Sequence, residues 1–308
     1  MELLPLVKGV LTWVPLAYDA RRGHTGGTGS ARYCYSVWMR HLVAIRSAGI
    51  GTSFDAIAEL GPGDSLGIGL TGLLAGARRL EALDVVPYTS SPANIPLVGE
   101  LAALLAARAP IPGPEEFPGV VPLLGDYAFP ARLVGAIDAD ELARRRRTIE
   151  AALAGRSAGL SIRYQVPWDA LETVVAEPVD LLYSQAVLEH VESPGDTYRA
   201  MSRWVVPGGV VSHVIDLRSH CLTPGWDGHL QYPPRLWRLV KGARPYLLNR
   251  WPASAHRQCL EANGFRVVRE DRILREPTLD PRSLPSPFRD WSAEDRRTAS
   301  VHYVAVRT

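Results

Sequence analysis

Ala56-Ile57-Ala58-Glu59-Leu60-Gly61-Pro62-Gly63-Asp64-Ser65 is the stretch whose reading decides how this 308-residue chain folds. Ala56 to Leu60 reads as a buried strand, with Glu59 at its last inward step, running directly into a glycine turn. Gly61 and Gly63 carry no Cβ, so the backbone can turn sharply there and let a ligand approach closely. A small, apolar helix follows over Leu66 to Ala77, and then a second strand, Leu80-Glu81-Ala82-Leu83-Asp84-Val85. The unit is β-turn-α-β with a carboxylate about 20 residues beyond the turn, the layout of a nucleoside-binding crevice.

Outward from this unit the alternation of strands and helices continues. On the N-terminal side, helical spacing of Tyr35, Trp38, Met39, Leu42, Val43 and Ile45 predicts a helix over Ala31 to Ala48, preceded by a Gly- and Thr-rich loop over Arg21 to Ser30. On the C-terminal side, strands are expected at Leu160 to Val166, Val179 to Ser184 and Val210 to Asp216, the last entered by a turn at Pro207-Gly208-Gly209. A helix over Ala253 to Asn263 stops at Gly264, and strands at Phe265 to Arg269 and Val301 to Val306 close the chain. Strands alternating with helices imply a mostly parallel sheet covered on both faces. Two stretches interrupt the pattern, about 87–156 and 217–251, and are expected to be inserted caps on the substrate side. Residues 1–50 are expected to form a helical lid, and 51–308 the ligand-binding domain.

Composition narrows the function classes. With 34 Lys and Arg against 32 Asp and Glu, the net charge of +2 gives no electrostatic case for nucleic acid or an anionic membrane. The one dense run, Arg144-Arg145-Arg146-Arg147, reads as the solvated face of a helix. Cys34, Cys221 and Cys259 follow no metal or disulfide spacing, which fits a reducing cytoplasm. The apolar start, Met1 to Pro15, has an early acid, Lys8 in its middle and no small-residue cleavage site; it reads as an amphipathic helix packed on the domain rather than as a signal peptide or a membrane span.

Three details distinguish the ligand. The third glycine of a dinucleotide turn would fall at Leu66 and is absent, Pro62 separates the two glycines, and Glu59 precedes them. S-adenosylmethionine (SAM) has no pyrophosphate to cradle, and its sulfonium and ammonium favour nearby carboxylates. On Glu59-Leu60-Gly61-Pro62-Gly63, Asp84, Tyr183-Ser184-Gln185-Ala186-Val187-Leu188-Glu189-His190-Val191 and Pro207-Gly208-Gly209, the chain resembles the class I SAM-dependent methyltransferases, over roughly Ala56 to Val85 and Leu160 to Val306. Ser30 to Trp38, His213-Val214-Ile215-Asp216-Leu217 and Asn249-Arg250-Trp251 further resemble bacterial methyltransferases of glycan or secondary-metabolite modification. The resemblance implies a Rossmann-like α/β fold with a seven-stranded, mostly parallel sheet, an antiparallel C-terminal strand, and SAM as cofactor.

In such a sheet the ligand lies beyond the carboxyl ends of the strands, at the topological switch point. The expected cofactor residues are therefore Glu59, Gly61, Gly63, Asp64, Asp84, Val85, Trp168, Asp169, Ser184 and Gln185. Asp84 offers two acceptor oxygens to the ribose hydroxyls; by the resemblance, Trp168 and Asp169 serve the adenine, and Ser184 and Gln185 the methionine part. Tyr33 and Tyr35 are expected on the lid, with Asp216 and Arg250 on the acceptor side. Methyl transfer is an in-line displacement that mainly needs proximity and orientation. A hydroxyl acceptor must also lose its proton, so a histidine base is expected, His213 first and His220 second. His213, Asp216 and His220 match no established metal spacing, and no metal is expected. The activity expected is methylation of a small molecule, a hydroxyl of a sugar or natural product, by a cytoplasmic protein with no nucleic-acid or membrane partner, a homodimer being allowed for. The alternatives are N-methylation and a non-catalytic SAM-binding regulator.

Overall fold

The computed structural model describes residues 2–13, 26–134, 138–156, 159–168, 175, 177–244 and 246–308. Helix α1 (Leu4–Leu11) and helix α2 (Ala31–Ser47) precede the strand-turn unit, which comprises β1 (Ala56–Leu60), α3 (Gly67–Leu74) and β2 (Arg79–Leu83). Next come α4 (Ile95–Ala106), α5 (Ala131–Val134), α6 (Ala139–Leu153) and β3 (Ser161–Gln165). The C-terminal half holds β4 (Val179–Gln185), α7 (Pro194–Trp204), β5 (Val205–Asp216), α8 (Pro234–Lys241), α9 (Ala253–Ala262), β6 (Phe265–Leu274) and β7 (Thr298–Arg307).

The strands form one seven-stranded sheet in the order β3-β2-β1-β4-β5-β7-β6. β3, β2, β1, β4 and β5 pair in parallel, and β7 runs antiparallel to both of its neighbours. The chain winds outward from β1 through β2 to β3, then returns to the other side of β1 at β4, so the switch point lies between β1 and β4. All five residues of β1 are buried, as a central parallel strand requires. Pro207-Gly208-Gly209 falls inside β5 and not before it: the pairing slips from Val179–Val205 to Leu181–Val210, and Gly208 takes a positive φ of 78° to absorb the extra residues.

One face of the sheet carries α2, α3, α4 and α6, packed through residues such as Trp38, Leu70, Leu101 and Ile149. The opposite face carries α7 and α9, packed through Tyr198, Trp204, Leu260 and Phe265. This arrangement corrects two expectations. Residues 87–156 contribute α4 and α6, the helical layer of the β2-to-β3 crossover, because their apolar faces bury against α3 and the sheet. Helix α2 is likewise a core element and not a lid: the fully buried Arg40 donates to Ser36 Oγ, Pro112 O, Val120 O and Pro122 O, stapling the Pro-rich 109–122 loop to the helix. A guanidinium is tolerated at that depth only with its donors so engaged. Tyr35, expected on the lid, is buried with its hydroxyl donating to Ala109 O at 2.6 Å. Within 217–251, α8 packs against α1. No helix among the described residues is long and apolar enough to cross a membrane.

Candidate functional site

At the switch point the β1 turn is held rigidly. Gly61 has φ 67° and Gly63 φ 71°, and a Cβ on Gly61 would stand 2.6 Å from Val187 Cγ2, so the turn can approach the start of the β4 exit only as glycine. Asp84 is almost fully buried, with Oδ2 accepting from Gly63 N–H at 3.1 Å and Oδ1 from Val85 N–H at 2.7 Å. Burial raises its pKa, and the backbone donors oppose that rise. Oδ1 also faces Val86 N–H at 3.5 Å, whereas Oδ2, with its single donor, keeps a second lone pair for an incoming hydroxyl. Gly61, Gly63, Asp84 and Val85 are thus one assembly. Asp64 follows directly in the same turn.

The front of this turn is closed by the 26–30 loop. Ser65 Oγ and Cys34 Sγ both donate to Thr28 O, while Asn94 Oδ1 accepts from Leu66 N–H. Tyr33 lies edge-on to Phe117, with ring centroids 5.5 Å apart, and its ring packs beside Gly27. Trp168 is half-buried, donates its backbone N–H to Asp84 O at 3.0 Å, and meets Trp204 edge to face. Asp169 lies outside the described residues.

Glu59 is placed differently from a ligand-facing acid. Its Oε2 accepts from Gly69 N–H at 3.2 Å and from the Tyr183 hydroxyl at 3.0 Å, and burial pushes its pKa up to about 8. It joins α3 to β4 beneath the turn. Ser184 and Gln185 diverge, as successive strand residues must. Ser184 Oγ meets His213 Nδ1 at 2.8 Å on the α7 and α9 face, whereas Gln185 reaches His41 Nε2 and Val121 O toward α2.

His213 is fully buried, and burial pushes its pKa down to about 3. Such a histidine is a weak base with no path to solvent. His220 is partly exposed just beyond β5, its Nε2 3.6 Å from Asp216 Oδ2 and 3.8 Å from Glu189 Oε1. His220 and Cys221 hold φ values of 48° and 60°, a strained pair that turns the chain back toward β4. Asp216 itself is clamped by Arg218 through both carboxylate oxygens.

A narrow cleft, with room for about 20 Å³, opens at the carboxyl ends of β4 and β5, lined by Glu189, Asp216, Trp226, Arg250, Trp251 and Trp291 among others. Arg250 donates to Tyr232 O at 2.6 Å and stacks between Trp237 and Phe288, and burial pushes its pKa down to about 9. The Asn249 amide donates to Leu188 O and Val191 O, and Asn249 N–H to Glu189 O, so the Asn-Arg-Trp segment fixes the turn that bears Glu189. The carboxylate of Glu189 completes no hydrogen bond at either oxygen, and burial raises its pKa well above the carboxylate range. Neither Glu189 nor the tryptophans were expected from spacing alone; the signal was the acid itself, directly after a buried strand.

No family profile matches the chain, and no curated protein does. Solved structures do. A SAM-dependent methyltransferase from Mesorhizobium loti is similar at 16% identity and TM-score 0.45, over 92% of this chain and 100% of that one. The N-methyltransferase NodS from Bradyrhizobium japonicum WM9, in complex with S-adenosyl-L-homocysteine, gives 12% identity and TM-score 0.40, over 90% and 86%. Phosphoethanolamine N-methyltransferase 2 from Haemonchus contortus gives 13% identity and TM-score 0.45, over 94% and 61%.

Proposed function

We propose that the protein is a SAM-dependent methyltransferase acting on a hydroxyl of a small molecule, a sugar or natural product, seated in the cleft beyond β4 and β5. The observation that carries this reading is Asp84, buried at the end of β2 beside the switch point, with Oδ2 open to a ribose hydroxyl and bonded to the Gly63 N–H of the glycine turn. SAM fits this site because the turn needs no third glycine for a pyrophosphate. Gly61, Gly63 and Asp84 would hold its nucleoside, and SAM supplies the electrophilic methyl. The enzyme holds the acceptor in line with that methyl and excludes water around it.

The acceptor's proton is handled at the corner formed by Glu189, Asp216 and His220, and not at His213, whose ring faces the α7 and α9 core. N-methylation is the second reading. It is favoured by three tryptophans and the acids Glu189, Asp216 and Asp295 around the cleft, a setting that suits a cation. Calorimetry with SAM, its demethylated product and NAD tests the cofactor assignment. SAM and its product are expected to bind and NAD to give no heat, with Asp84→Ala weakening SAM by about 1–3 kcal/mol. Tight NAD binding without a response to SAM overturns it.

A further inference from the structure

Glu189, His190 and His220 are brought together from two separate segments. One ligand atom from each lies within 4.8 Å of the other two. The rings of His190 and His220 are 4.9 Å apart, centroid to centroid, and nearly perpendicular, edge to face. His190 Nδ1 lies 2.8 Å from Tyr246 O. A carbonyl can only accept, so Nδ1 carries the proton and Nε2 presents a lone pair. His220 Nε2 lies 3.4 Å from Asp216 O, a contact that a cation bound at that nitrogen would displace. A backbone carbonyl orienting the far nitrogen is the usual support of a metal-bound histidine.

An independent observation points to a ligand. Glu189 is 2% exposed and lacks a hydrogen-bond partner on both carboxylate oxygens. A buried carboxyl in this state leaves several kcal-scale interactions unmade unless a cation supplies them.

We propose that Glu189, His190 and His220 form a binding site for a divalent transition-metal cation beside the acceptor cleft. Two imidazoles and one carboxylate suit Zn²⁺, Mn²⁺ or Fe²⁺ and not Mg²⁺ or Ca²⁺, which take oxygen donors. Asp216, 3.6 Å from His220 Nε2 and held by Arg218, flanks the site. Three protein ligands leave coordination positions open, and Glu189 also lines the cleft. The inference deepens the methyltransferase reading and rests on it for its chemistry. A cation held there would make an acceptor hydroxyl bound to it more acidic, its proton leaving through this same partly exposed corner. The acceptor oxygen then bonds to the methyl carbon, and the carbon–sulfur pair leaves with sulfur, giving the neutral thioether.

The test uses full-length protein freed of metal by chelation. Titration with Co²⁺ is expected to give one ion per chain with ligand-field bands of nitrogen coordination, and titration with Zn²⁺ to compete it away, while Mg²⁺ gives neither. Glu189→Gln and His220→Ala are each expected to weaken Co²⁺ at least 100-fold, more than the 10- to 100-fold typical of losing a supporting group. Cys221→Ser, next to His220 and exposed, is expected to bind unchanged. Circular dichroism and metal-free melting of Glu189→Gln guard against misfolding, since Gln is isosteric with the protonated acid. No stoichiometric ion, equal binding in both ligand variants, or loss in Cys221→Ser overturns the proposal. Binding of demethylated cofactor, measured on the same samples, separates this failure from failure of the methyltransferase reading: cofactor bound without metal defeats the site alone.

Discussion

The turn after β1 and the corner after β4 and β5 are built in opposite ways. The first is local: Gly61, Gly63, Asp84 and Val85 come from one β-α-β unit, and every bond that holds them joins adjacent strands or the turn itself. The second is assembled at long range. Glu189 and His190 follow β4, Asp216 and His220 follow β5, and Asn249, some 60 residues from the turn it grips, fixes their geometry. A local site tolerates change elsewhere in the chain, whereas a long-range one depends on residues that never touch a ligand.

The sharpest way to break the local half is Gly61→Val. The new side chain must take a positive φ and its Cβ would meet Val187 at 2.6 Å. A loss of about 3 kcal/mol or more in unfolding free energy is expected, with cofactor binding abolished in calorimetry. Normal binding by this variant would show that the turn is not where the nucleoside sits.

Asn249→Ala probes the long-range half. It removes two donors from Leu188 O and Val191 O, at 2.7 and 3.0 Å, and leaves those carbonyls to find water. About 2 kcal/mol of stability should go, read by denaturant melting. Acceptor KM should rise while cofactor affinity stays as it was. Equal damage to both would mean that the two halves are one cooperative unit.

The smallest effect at neutral pH concerns His213 and separates it from the corner. Its pKa falls from 6.5 to about 3 on folding, because burial disfavours the cation. Above pH 6.5 it is neutral in both states and costs nothing. As pH drops from 6.5 toward 3 the unfolded chain gains a proton that the folded chain refuses, and stability declines by about 1.4 kcal/mol per unit. His213→Gln should remove this slope, so wild type and variant diverge in acid melting and differ little above pH 7. Turnover should survive the substitution. A loss of 100-fold or more in turnover would restore His213 as the base.

The element order was legible because its signals are local: buried apolar runs for β1 and β4, helical spacing for α2 and α9, and glycines where the chain must turn. Composition likewise anticipated the Arg144–Arg147 run as a solvated helix face, which α6 displays through Glu141 and Glu150 pairs. What it misjudged depends on which way a side chain faces. Ser184 and Gln185 were grouped as neighbours, yet the pleat sends them to opposite faces. His213 falls on the core side by the same alternation, one residue from Ser212, which bonds His41 toward α2. Helix α2 was read as a lid because its aromatics precede the cofactor strand, and only the partners of Arg40 reveal it as core.

By itself the sequence determined the β-turn-α-β unit, the order of strands and the position of Asp84, since these follow from residue type and spacing along a short stretch. The tertiary structure alone decided that α2 and the 87–156 segment belong to the core. It also decided that His220 and not His213 reaches the cleft's acids, and that Glu189, His190 and His220 converge. Burial and convergence are properties of chain segments distant in sequence, packed until each apolar face is covered, and no local pattern encodes which distant residue arrives opposite which.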